Sequence, residues 1–404
     1  MKMAKGTARK WEFKARFRRG GFGWKSEPAI LRIRQAVSEI KKVARTDPVL
    51  AAEGAVAFLE RISPALEHVD GSSGAIGIAV NRAIDDLTRI IAGAPSDPKT
   101  RTDWLCRLWD AHHADEIPYI EALGDHWGEL CGSAELASEW ADSLMDTTRM
   151  ALSPDPSLRG YFRGTSACLS ALFRAERYRE IIDIVEGEQI WPYKQWAVRA
   201  LAAMGKRCEA IAYSESLRGR WVQDSEVDSL CEEILLSSGF VEEAFEHYAA
   251  RNVTAGTYLA SFRSTARKYP HKKPAEILAE LVRATPGCEG KWFAAAKEAG
   301  LFDEALALAT QSPCDPKTLT RAARDFVDVR PGFSAEAGFL AIRWLAEGHG
   351  YEITSADVWA AYDAALKASE RIGTSGEMRM RIKDLVSAHP GSFVARFLDR
   401  EFER

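Results

Sequence analysis

The chain has 404 residues, 46% of them hydrophobic and 28% charged, with a formal net charge of −4, values ordinary for a soluble folded protein of two or three domains or one elongated repeat domain. No stretch approaches the roughly 18 consecutive apolar residues that a membrane span needs, and the basic start is not followed by the apolar run of a secretory signal, so a cytoplasmic protein is expected. Seven scattered cysteines with no CxxC pair argue against a disulfide framework or a thiolate zinc site and point to buried thiols in a reducing compartment.

The charge is unevenly placed. Residues 1–47 carry 14 Lys+Arg against 4 acids, and the remainder carries 40 against 54. Within that basic head, residues 11–18 alternate Trp11, Phe13, Ala15 and Phe17 with Glu12, Lys14, Arg16 and Arg18, a period of two that predicts a β-strand with one apolar face. Gly20-Gly21 breaks it. Rings on one face predict a strap that docks through Phe17, Phe22 and Trp24 onto the first helices, with residues 1–10 mobile. The cations Lys10, Lys14, Arg16, Arg18, Arg19 and Lys25 supply the competing reading. Beside stacking aromatics they suit the phosphates and bases of a nucleic acid.

From Ser26 onward helix signals dominate. Ser26-Glu27-Pro28 reads as a cap and a first turn, followed by Ile30, Ile33, Val37 and Ile40 at helical spacing. Asp47-Pro48 and Asp97-Pro98 each pair a capping carboxylate with a proline just inside the helix, where its missing N–H costs nothing. Gly71, Gly74 and Gly77 (68–87) precede a helix, but without the Lys-Ser/Thr of a P-loop they read as a turn capped by Asp70 or a serine. Residues 109–131 gather His112, His113, Asp115, Glu116, His126 and Cys131. Metal-ligand spacing is absent, so the stretch reads as a helix end, a polar turn and a helix that buries Trp127 and Leu130. Cys168 falls among Leu169, Leu172 and Phe173, as a buried thiol rather than a nucleophile. No catalytic constellation emerges, and the expectation is a non-enzymatic chain with no cofactor and no metal.

Beyond residue 160 the chain repeats itself, as LFRAERYREIIDI (172–184), LAAMGKRCEAIAY (201–213), LLSSGFVEEAFEH (235–247) and AAKEAGLFDEALA (295–307). One column holds Glu176, Gly205, Gly239 and Gly300, and Gly332 extends the spacing. Four residues on stand Glu180, Glu209, Glu243 and Glu304, followed by Ile181, Ala210, Ala244 and Ala305. Glycine closes a helix in the left-handed conformation, the acid faces the next helix's positive end, and the small residue permits close approach. Such pairs cannot bury their apolar faces alone and must stack.

That register resembles tetratricopeptide-type helical hairpins over roughly residues 165–345, though the family's Trp and Pro landmarks are not consistently present. FGWKSEPAILRIRQAVSEIKKVA (22–44) and AAEGAVAFLERISPALEHVDGSSGAIG (51–77) resemble an uncharacterised group of bacterial helical proteins, a likeness that implies no function. The resemblance implies an all-α fold: an α-solenoid of stacked antiparallel helix pairs, with an arm at 1–25, a helical domain at 26–155, and repeats with capping helices at 156–404. Solenoids hold partners on their inner surface. An acidic block (Glu226, Asp228, Glu232, Glu233, Glu242, Glu243, Glu246) is followed by a basic one at Arg263, Arg267, Lys268, His271, Lys272 and Lys273. Arg263, Arg267, Lys268, Lys272 and Lys273 are therefore the expected protein-binding residues of an interaction scaffold, with pairing between the two blocks as the alternative.

Overall fold

The computed structural model describes residues 10–219, 222–251 and 256–402. They are almost entirely helical. Among them an isolated bridge between Gly219 and Val222 is the sole β contact, and no helix is long and apolar enough to cross a membrane. The chain divides into two compact units, Met1–Gln223 and Asp224–Arg404.

In the first unit, α1 (Phe13–Arg16), α2 (Ser26–Ala44), α3 (Pro48–Ala65), α4 (Ala75–Gly93) and α5 (Pro98–His113) lead into α6 (Trp127–Cys131) and α7 (Ala134–Ala151). Two short hairpins follow, α8 (Thr165–Arg174) with α9 (Tyr178–Ile184), and α10 (Trp191–Ala203) with α11 (Arg207–Ser216). Most of these helices pack against the next in sequence, and several against the next but one: α2 with α3 and α4, α3 with α5, α4 with α6, α8 with α10. The Asp47 and Asp97 side chains accept the N–H groups of Leu50 and Thr100 at 2.9 and 3.0 Å, as their Asp-Pro pairs predict. Ser26 is instead the first residue of α2, and Lys25 before it provides no side-chain cap.

The second unit runs through α12 (Asp224–Ser237), α13 (Val241–Ala244), α14 (Tyr258–Lys268), α15 (Pro274–Arg283), α16 (Phe293–Glu298) and α17 (Phe302–Gln311). It continues with α18 (Pro316–Phe326), α19 (Pro331–Ala346), α20 (Ser355–Arg371), α21 (Ser375–Ala388) and α22 (Ala395–Phe402). Here α17 touches α19, α18 touches α20 and α19 touches α21.

The repeat column takes the predicted conformation in both units. Gly205, Gly239 and Gly300 have φ of 79°, 81° and 76°, and Glu176, standing in for glycine, has 58°. At each, the following residue sends its N–H back across the turn to a carbonyl five positions earlier: Arg177 to Leu172, Lys206 to Leu201, Phe240 to Leu235 and Leu301 to Ala296, at 2.9–3.0 Å. That bond satisfies a carbonyl the helix would leave open. Ile181, Ala210, Ala244 and Ala305 are all fully buried. Gly332 does not extend the column. It lies in the first turn of α19, with Pro331 at the helix start. The same closure occurs instead at Gly348 and Gly373, whose successors His349 and Thr374 bond back to Trp344 and Ser369.

The strand expected at residues 11–18 is replaced by the helical turn α1. Alternation and helical spacing share two of its anchors, since Phe13 and Phe17 are four apart as well as even-spaced. Ala15, which a strand would bury, is exposed. Trp11, Phe13 and Phe17 are 3%, 2% and 1% exposed, and the Phe13 and Phe17 rings meet Phe58 of α3 edge-on at 5.3 and 4.8 Å. Burial of each ring stabilises by roughly 1.5–3 kcal/mol. Trp24, expected to dock with them, is 72% exposed, while Phe22 packs partly buried against Phe17. Backbone bonds complete the strap, from Gly20 N–H to the Pro64 carbonyl and from Asp70 N–H to the Trp24 carbonyl, both 2.9 Å. Residues 1–9, most of the segment expected to be mobile, lie outside the described residues.

Trp11 reaches its seat because Gly54 leaves room in α3: a Cβ there would stand 2.2 Å from the indole. Helix propensity alone favours Gly54→Ala by about 1 kcal/mol, whereas overpacking costs about 1–3 kcal/mol. Chemical denaturation should show Gly54→Ala less stable than wild type, with faster tryptic cleavage at Lys14–Arg19. A stabilised variant with an unchanged cleavage pattern would refute this seating.

Candidate partner-binding groove

The basic head divides between two faces of α2. Strap-side residues Arg32, Gln35, Ala36 and Glu39 lie against α1. Arg16 donates to Gln35 at 3.1 Å, Glu12 N–H to Glu39 at 3.1 Å, and Arg19 pairs with Glu67 at 3.1 Å. Lys10, Lys14, Arg18 and Lys25 are exposed, with no ion pair among the described residues. Of the six cations of the nucleic-acid reading, Arg16 and Arg19 thus help fasten the strap, through exposed pairs of the kind worth less than about 1 kcal/mol.

The 263–273 block is mostly paired within its own unit. Arg263 forms a two-pronged ion pair with Glu298, which raises the guanidinium pKa. Lys268 meets buried Glu232 at 2.5 Å, and Glu232 also accepts the Tyr269 hydroxyl at 2.7 Å. Lys272 pairs with Glu242 and lies 4.8 Å from the centre of the Phe245 ring. The acidic and basic blocks therefore interlock. Arg267 and Lys273 make no ion pair among the described residues, and the backbone N–H of Lys273 donates to Glu276 at 3.3 Å.

The 109–131 cluster disperses: His112, Asp115 and Cys131 are buried, His126 is half-buried, and His113 and Glu116 are exposed. Trp109, Trp127 and Trp140 form a nest with ring centres 5.1–5.4 Å apart. Asp115 is buried, accepting the Ser63 hydroxyl and the Ile120 N–H, and desolvation pushes its pKa up. His126 faces Asp85 at 3.3 Å. Among the described residues no three His, Cys, Asp or Glu side chains come together as a metal set. Burial raises the Cys131 and Cys168 thiols to about 12 and about 11, while Cys106 and Cys208 are exposed. Gly71–Gly74 is a turn in which Asp70 accepts Ser72 N–H; Gly74, at φ 70°, is the residue before α4 with no side-chain cap there, and Gly77 lies in the first turn of α4.

A groove of about 650 Å³ opens between α2 and α4, on the side of α2 away from the strap. Ile30, Ile33, Val37, Ile78 and Ala79 form its floor, and Ile78 is 55% exposed. Arg34, Lys41 and Lys42 of α2, Arg45 just past its end, and Arg82 of α4 form its rim. The one acid, Asp86, is held by Lys41 at 2.7 Å and lies 3.7 Å from Arg89. Arg34, Lys42, Arg45 and Arg82 are exposed, with no ion pair among the described residues. Buried Arg101 fixes the far end of α4 by donating to the Ile91 and Ala94 carbonyls at 2.6 and 2.8 Å. The sequence carries the signal as a second stripe on α2 (Ile30, Arg34, Val37, Lys41, Arg45), but it is hidden when Ile30 is counted as core.

Comparison with the models of known protein families and with curated protein sequences finds no match to this chain. Its function must therefore be read from geometry.

Within this cluster His112 is a source of acid sensitivity. Burial, aided by neighbouring His113 and Arg163, holds His112 neutral, with its pKa lowered from 6.5 to about 4. Its Nε2 contacts the Glu121 carbonyl at 3.3 Å, and Nδ1 has no hydrogen-bond partner. The unfolded chain binds the proton first, so this contribution is present above pH 6.5 and is lost as pH falls towards 4, by about 3 kcal/mol in all. Denaturation of wild type and His112→Gln at pH 7 and pH 4.5 should show the variant losing less stability on acidification. Equal losses would remove His112 as the cause.

Proposed function

We propose that this chain is a tetratricopeptide-like helical-repeat scaffold of the bacterial cytoplasm that binds a protein partner without catalysing a reaction. The observation that carries the reading is the α2–α4 groove, where a floor that exposes Ile78 lies between cations of which Arg34, Lys42, Arg45 and Arg82 make no ion pair among the described residues. Exposed apolar surface rimmed by polar groups is characteristic of interaction sites, and the 263–273 block is less suited because most of it is already paired. The test is co-purification of untagged protein from its native host after nuclease treatment. A discrete protein should accompany wild type and be lost with Ile78→Glu/Arg82→Glu. Identical recovery with both would overturn the groove as the binding surface, and no co-purifying protein would overturn the scaffold.

A second reading rests on the strap. Lys10, Lys14, Arg18 and Lys25 are open to solvent beside exposed Trp24, which suits single-stranded nucleic acid. It predicts filter retention of RNA at low salt that falls with a log–log slope of about −0.7 per phosphate contacted. Serine at the four cations should abolish that retention, and no retention by wild type would dispose of the reading.

A further inference from the structure

The groove is specific enough to name the kind of segment it accepts, an inference that rests on the scaffold reading. Both of its walls are helices. Their backbone N–H and C=O groups are used within each helix, so an extended peptide laid between them would find no edge to pair with. A helix satisfies its own backbone and offers only side chains, which is what the floor can receive. From Ile30 to Arg45 the α2 wall is about 22 Å long, or roughly four turns. Within it Ile30 and Val37 lie about 10 Å apart along the helix, which matches a guest stripe of apolar residues at i, i+3/i+4 and i+7 laid over Ile30, Val37 and Ile78.

Charge fixes the rest. The rim holds cations on both sides of the floor, Arg34 on α2 with Arg45 just past its end, and Arg82 on α4, and its one carboxylate is already engaged by Lys41. A guest with Glu or Asp flanking its stripe completes these positions, and a basic guest is repelled. The basic residues 1–9, MKMAKGTAR, are therefore the wrong sign to fill the groove from within the chain. Nucleic acid would satisfy the cations but not the floor, which is aliphatic and has no ring on which a base could stack.

We propose that the α2–α4 groove docks an acidic amphipathic α-helix of about four turns, carried by the partner protein, with Ile78 as the central apolar contact. The probe is a fluorescein-labelled 16-residue peptide with a Leu stripe flanked by Glu, titrated with the full chain and followed by anisotropy. Comparison probes are a scrambled peptide of the same composition, a peptide with Lys in place of Glu, single-stranded oligouridylate, and phosphatidylglycerol vesicles. The acidic helix should bind at least tenfold more tightly than the scrambled peptide. Ile78→Glu should weaken it at least tenfold, and Arg34→Glu/Arg82→Glu should weaken it similarly while gaining affinity for the Lys peptide. All three positions changed are exposed side chains on helix surfaces, and far-ultraviolet circular dichroism verifies each variant's fold.

Equal affinity for the ordered and scrambled peptides would overturn the inference. So would no peptide binding at all, or binding of oligouridylate or vesicles that is lost in the Arg34/Arg82 variant while the acidic helix is ignored. The two readings fail separately. If a native protein co-purifies in a groove-dependent way but the acidic helix does not bind, the scaffold stands and the guest is of another kind. If the helix binds but no native protein co-purifies, the scaffold reading fails while the groove's preference for an acidic helix stands.

Discussion

The fold depends on a single closure repeated along the chain. A residue in the left-handed conformation ends one helix, and its successor returns an N–H to a carbonyl five residues back. The closure satisfies the last carbonyls and reverses the chain in a few residues, so the next helix starts against the previous one. A buried Ala or Ile one turn later then allows the pair to approach. Where glycine is replaced, at Glu176, the geometry holds at a backbone cost of roughly 1–2 kcal/mol. Arg177 beside it is tied to Glu180 and Asp142 at 2.7 and 2.6 Å, which helps keep the turn in place.

This closure was legible because it is local: one residue's φ and a neighbour's small side chain leave marks at fixed spacing. The Asp-Pro caps were legible for the same reason. The failures share the opposite cause. Residues 11–18 satisfy a strand pattern and a helical pattern at once, and the choice is made by distant residues, Phe58 and Gly54, that form the seat. Gly348 and Gly373 have the column's acid four residues on, Glu352 and Glu377, but Ile353 and Met378 stand where most copies have Ala, which weakens the pattern. Gly332 kept the spacing, but proline in front of it converts a helix end into a helix start.

The groove was invisible for a different reason. Its floor residues fit the core stripe of α2, and only the packing of α4 determines which side of that stripe stays open. The same helix serves three clients. Ala29, Ile40 and Val43 face the core, Gln35 and Glu39 hold the strap, and Ile30 and Arg34 border the groove. Successive residues on a helix point about 100° apart, so one 19-residue helix can present all three faces without conflict.

Charge separation then acquires a physical meaning. In the second unit acids and bases sit in adjacent blocks and neutralise each other: Glu232 with Lys268, Glu242 with Lys272, Glu298 with Arg263. In the first unit the basic surplus has far fewer acids nearby, and the strap consumes only Glu39, Glu67 and Gln35. Like charges along one groove repel, and folding gains nothing from gathering them beside an exposed isoleucine. The groove leaves Arg34, Lys42, Arg45 and Arg82 without an ion pair among the described residues around an apolar floor, an arrangement from which folding itself gains little. An acidic guest relieves both terms at once, covering the isoleucine and supplying the missing carboxylates.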